Sequence, residues 1–156
     1  MITYRKLAGS TDVSVVVRIV DSTDGTPETG VVFNTSGIDL EYRRETEAST
    51  DITEATLAAL TTAHTDGGFL HIGNGYYRLD LPDAACASGV AGVLVHGVVT
   101  GMIVMGCYIQ LDVVPADVRQ WLGTAAATPT VAGVPEVDAT HWNGTAVTTP
   151  PAVNAT

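Results

Sequence analysis

The chain has 156 residues, 46% of them apolar, which suits one cored domain with an appendage and argues against global disorder. Seven basic against seventeen acidic residues leave a formal charge of −10, with Lys6 the single lysine, so repulsion from phosphate excludes nucleic acid and anionic membrane as expected partners. Ten of the seventeen acids fall within Asp12–Glu54, a negative field that suits solubility first and steering of a basic partner second.

In chain order, Met1–Lys6 carries no apolar signal region, and the expectation is synthesis and folding in a cytoplasm. Val13, Val15, Val17 and Ile19 repeat with period two, as a strand with one apolar face does. Asp21-Ser-Thr-Asp-Gly-Thr-Pro27 punctuates as a turn. Ile38, Leu40 and Tyr42 alternate with Asp39, Glu41 and Arg43, a strand with one wet face. Asp51-Ile-Thr-Glu54 has capping-box spacing and opens an alanine-rich stretch, which predicts a short helix over Ile52–His64 with Leu57 and Leu60 inward. Phe69–Leu81 predicts a hairpin turned at Asn74-Gly75, with Tyr77, Leu79 and Leu81 inward and Arg78 and Asp80 outward.

Gly89–Leu111 holds no formal charge and is long enough to span a membrane. Its valine, isoleucine and glycine content, the central Thr100-Gly101 and the lack of basic or aromatic flanks predict a buried β-hairpin instead. Cys107 falls in phase with Ile103, Met105, Ile109 and Leu111, which predicts a buried, reduced thiol. Six or seven strands and one short helix over residues 1–112 predict an all-β protein, an antiparallel immunoglobulin-like β-sandwich. Val15, Leu40, Tyr77, Leu79, Val95, Cys107 and Ile109 are its expected core. The cysteine–tryptophan–cysteine spacing of true immunoglobulin domains is missing.

From residue 113 the texture changes. Five of the seven prolines stand at or beyond Pro115, and the only charges after Trp121 are Glu136 and Asp138. Trp121-Leu-Gly-Thr-Ala and Trp142-Asn-Gly-Thr-Ala stand 21 residues apart, within a unit D-x-x-x-W-x-G-T-A-x-x-T-P that starts at Asp117 and again at Asp138. One such unit cannot bury its own apolar face. Residues 113–156 therefore read as an extended repeat segment that orders by packing Trp121, Trp142, Val131 and Val137 against sister chains or another surface.

No residue set points to catalysis. The four histidines are dispersed, Asp21–Gly25 lacks the downstream acid of a calcium loop, and no nucleophile elbow, phosphate loop or paired carboxylates occur. The expectation is no enzyme, no metal and no cofactor. Sequons at Asn34, Asn143 and Asn154 read as chance in a chain without a signal peptide, and the tryptophans read as packing residues before sugar platforms.

Gly67–Ala85 (G-G-F-L-H-I-G-N-G-Y-Y-R-L-D-L-P-D-A-A) and Val99–Leu111 (V-T-G-M-I-V-M-G-C-Y-I-Q-L) resemble the N-terminal domains of tailed-bacteriophage fibre-type virion proteins. Val131–Val147 is similar to repeats that follow such domains. The resemblance implies a virion structural protein, a head or tail fibre whose sandwich attaches to capsid or tail and whose repeats begin a homotrimeric shaft. A capsid decoration protein is the first alternative. A carbohydrate-binding module or adhesin for a host-surface glycan is the second.

Overall fold

The computed structural model describes residues 2–112, together with 120–121, 124–125, 141–142 and 145–146. It divides into two compact units, Met1–Val114 and Pro115–Thr156. The first is all-β. Its strands are β1 (Ile2–Leu7), β2 (Ser14–Asp21), β3 (Asp39–Arg44), β4 (Ser49–Ile52), β5 (Ala55–Thr56), β6 (Gly68–Gly73), β7 (Tyr76–Asp80), β8 (Gly92–Val98), β9 (Met102–Met105) and β10 (Cys107–Asp112). That makes ten strands where the periodicity suggested six or seven. They form two five-stranded sheets, ordered β1-β10-β8-β3-β4 and β5-β6-β7-β2-β9.

One apolar cluster joins the sheets. Val15, Val17, Ile19, Tyr77 and Leu79 from one meet Leu40, Val93, Val95, Cys107 and Ile109 from the other, each 0–1% exposed. Alternation explains the choice, since in each strand every second side chain points inward. The ladders are antiparallel except at two edges, where β1 runs parallel to β10 and β5 parallel to β6. The β1 edge had no period-two signal: only Tyr4 and Lys6 are half-buried there. Tyr4 packs on the core, and its hydroxyl accepts the Val16 N–H at 2.9 Å, beyond the stretch of β2 that β9 covers.

Three expectations are corrected. The helix over Ile52–His64 does not form, and β4, β5 and a loop over 57–67 occupy that stretch. Glu54 Oε1 accepts the Leu40 N–H at 2.8 Å rather than capping a helix, and Ile52 pairs with Leu40 in the core. Leu57 is buried but Leu60 is exposed. Cross-strand burial of a β-branched residue outweighs the weak helix preference of the alanines. The one helical element among the described residues is a 3-10 turn, Asp83–Cys86.

The second correction concerns Gly89–Leu111. The chain does turn at Thr100-Gly101, but β8 and β9 lie in different sheets, and β8 pairs with β10. The crossing back is made at Gly106, where a Cβ would clash with the Val95 carbonyl oxygen. The crossing also breaks the phase. Met102 and Val104 pack on the core from β9, whereas Cys107, Ile109 and Leu111 do so from β10, leaving Ile103 and Met105 outside.

Third, Asp80 faces outward from its sheet yet is fully buried, because the 57–67 loop lies over it. Arg78 reaches both Asp80 oxygens at 2.8 Å and donates to the carbonyls of Leu60 and Thr62. Ser14 Oγ and the Thr65 N–H complete the carboxylate's partners.

In the repeat segment four two-residue strands are described. Gln120–Trp121 pairs with Thr124–Ala125, and His141–Trp142 with Thr145–Ala146, each antiparallel. The two copies of the motif therefore make the same antiparallel strand pair. Val131 and Val137, and the side-chain packing expected of the tryptophans, lie outside the described residues.

Candidate functional site

Three connections converge at one end of the sandwich: the β2–β3 loop, the β6–β7 turn and the β8–β9 turn. Ser22 donates through its N–H at 3.1 Å and its hydroxyl at 2.8 Å to the Gly101 carbonyl. Asn74 and Gly75 close the hairpin with φ of 51° and 75°, and Gly75 lies so near the Ile19 carbonyl and Pro27 that a side chain there would clash. Gly37 meets Thr100 as closely. Asp21 and Asp24 shape the first loop by accepting N–H bonds from Thr23 and Thr26, which is turn chemistry rather than a calcium loop. Bonds from the Thr26 N–H and hydroxyl hold the Asp24 carboxyl below the ordinary range.

This end is unusually apolar. Val32 and Phe33 on the first loop, Ile72 and Tyr76 flanking the hairpin turn, and Val98, Ile103 and Met105 around the third connection are all 36–62% exposed. Single exposed apolar residues are ordinary, but seven near one end of the sandwich, with Tyr76 and Met105 flanking Arg18 across one sheet, make this end a candidate contact surface. Arg18 stands among them with its guanidinium 5.4 Å from the Tyr76 ring centre. Four acids, Asp21, Asp24, Glu28 and Asp39, border the same loops.

Between Val31–Asn34 and the start of β6 lies a cleft of about 360 Å³. Phe69, on its wall, stacks on Tyr77 at 4.9 Å and 3°, and the His71 ring tilts against Tyr77 at the same distance. The Tyr77 hydroxyl donates to the Glu28 carbonyl at 2.7 Å and accepts from the Val31 N–H at 3.3 Å, which pins the loop over the core. Burial raises the Tyr77 pKa, and the nearby Glu28 adds to the shift. The phenol therefore stays neutral and serves as a strut.

The opposite end differs in kind. β10 ends there at Asp112, paired with Arg5 at 3.1 Å, and from there the chain continues toward the repeats.

The remaining chemistry-bearing residues are scattered. His64 lies 3.3 Å from Asp12, and His96 sits between Glu41 and Ser49 on the other sheet. No group of three metal-binding side chains occurs among the described residues, and no helix there is long and apolar enough to cross a membrane. Cys86 and Cys107 are buried and unbridged, and burial pushes the Cys107 thiol up to about 12, far from a nucleophile's range.

The exposed apolar end was not foreseen. Val31-Val32-Phe33 is an apolar triplet inside turn-like sequence, which was the available signal. Ile103 and Met105 were hidden within a run that reads as buried. Comparison with protein-family models, curated proteins and solved structures yields no match for this chain.

Proposed function

We propose that this protein is a non-enzymatic structural component of a tailed-bacteriophage virion, a head or tail fibre. Its sandwich attaches to the particle, and its C-terminal repeats begin a homotrimeric shaft. The observation that carries the reading is the difference between the two ends of the sandwich. One carries exposed apolar residues on a loop and on the strand ends beside three connections, as an attachment surface requires, and from the other the chain continues to the repeats. An appended segment in which one sequence motif makes the same antiparallel strand pair twice fits a modular stalk.

The strand order supports an immunoglobulin-like arrangement. Strands β6-β7-β2 correspond to D-E-B, β10-β8-β3-β4 correspond to G-F-C-C′, and β9 takes the place of A beside B. Burial of all seven expected core residues agrees with such a sandwich.

Cryo-electron microscopy of the parent particle and light scattering on the isolated chain test the proposal. A fibre gives trimers in solution and a projecting density at a symmetry axis. Coverage of the capsid lattice at one copy per subunit would favour the decoration reading, and binding of glycans by the free chain would favour the adhesin. Absence of the chain from purified particles would remove all virion readings.

A further inference from the structure

The apolar end is chemically selective about what it can receive. Its cleft is lined by the apolar Val31, Val32, Phe33, Phe69 and Leu70, with four polar side chains, Asn34 and Thr56 among them, sharing the wall. A sugar would leave most of its hydroxyls unpaired against these walls, a cost an apolar side chain avoids. The loop that lines the cleft carries or adjoins Asp21, Asp24, Glu28 and Asp39, and Glu28 directly precedes the lining segment and lies beside Tyr77, the ring on which Phe69 stacks. A second copy of the chain, with charge −10 and the same acidic border, would be repelled there.

We infer that this end docks a partner protein by seating one apolar side chain of the partner, flanked by lysine or arginine, in the cleft beneath Phe33. The inference rests on the attachment role proposed above and names the chemistry of what is attached to. An apolar anchor in a small cleft edged by opposite charge is a recurrent element of protein interfaces.

The test is a titration of the full chain, followed by amide chemical shifts, with three short synthetic peptides. One carries a phenylalanine flanked by lysines, the second the same phenylalanine flanked by glutamates, and the third replaces the phenylalanine of the first with serine. Shifts from the first peptide should map to residues 28–34 and 69–71. Its affinity should exceed that of the second by about tenfold, an advantage that shrinks with added salt. Phe33→Ser should abolish binding with the spectrum still dispersed, and Glu28→Gln should narrow the gap between the lysine and glutamate peptides.

Equal binding of the glutamate peptide, full binding of the serine peptide, or no shift at this end at millimolar peptide would overturn the inference. So would self-association lost on Phe33→Ser, or the same shifts produced by monosaccharides. Failure of the virion reading is separately visible, since particles lacking the chain would leave the peptide result standing.

Discussion

At the scale of single residues, the core positions set the stability. Leu79 is fully buried between the sheets, and Leu79→Ala should cost about 2–5 kcal/mol by denaturant titration, the penalty for emptying such a site. Asp80 is the one fully buried acid among the described residues, and its acidity is set by opposing effects. Desolvation, the largest, would raise its pKa, but bonds from Arg78, Ser14 and Thr65, together with the Arg78 charge, hold it below the ordinary value of 3.8. An acid with a depressed folded pKa contributes stability that is present above its unfolded pKa and is lost as pH falls through the folded one. Acid unfolding of the wild type should therefore steepen below the ordinary aspartate range, and Asp80→Asn should remove that part of the pH dependence. Asp80→Ala leaves Arg78 unpaired beneath the 57–67 loop and should cost about 3–5 kcal/mol. The buried thiols predict a third result: neither Cys86 nor Cys107 should be alkylated at neutral pH until the protein is unfolded, as mass spectrometry would show.

At the scale of elements, two glycines around β9 separate strain from space. Gly101 has φ of 75° with no atom within 4 Å of a built Cβ, so Gly101→Ala meets conformational strain alone, about 1–2 kcal/mol. Gly106 lies against the Val95 backbone at the crossing between sheets, where neither partner can withdraw without breaking the β8–β10 ladder. Gly106→Ala should therefore cost more than Gly101→Ala, and thermal unfolding of the two variants gives the order directly. Equal midpoints would mean that the crossing tolerates a side chain. The same crossing explains why the chain leaves Ile103 and Met105 on the surface: β9 must face the core with Met102 and Val104 to extend the β2 sheet.

At the scale of the molecule, the sandwich holds its own core, with β1 and β10 closing one sheet edge. A chain ending at Asp112 should keep the cooperative unfolding transition of the full chain, with circular dichroism reading the same β spectrum. The full chain should be the oligomer and the shortened one the monomer if the repeats carry association, and light scattering distinguishes the two. A transition lost on truncation would mean that residues beyond 112 complete the core.

Much of the sandwich was legible because period-two alternation is a local property. Val13 to Ile19, Leu40 and Tyr42, and Tyr77 to Leu81 declared their inward faces, and Asn74-Gly75 declared its turn, from neighbouring residues alone. What depended on distant partners was not legible. The alanines after Ile52 have a helical preference of a few tenths of a kcal/mol each, too little to resist a ladder with β3 that no local pattern announces. Asp80 reads as a surface acid until the 57–67 loop and Arg78 cover it. The apolar end was hidden for the same reason: exposure belongs to the assembled surface, and Val32, Phe33, Ile103 and Met105 look like core residues until the fold leaves them with nothing to pack against. The sequence by itself determined the inward faces of β2, β3, β7 and β10 and the turn at Asn74-Gly75. Only the tertiary structure decided which strands became neighbours and which apolar residues stayed in water, because those outcomes are set by long-range pairing and packing.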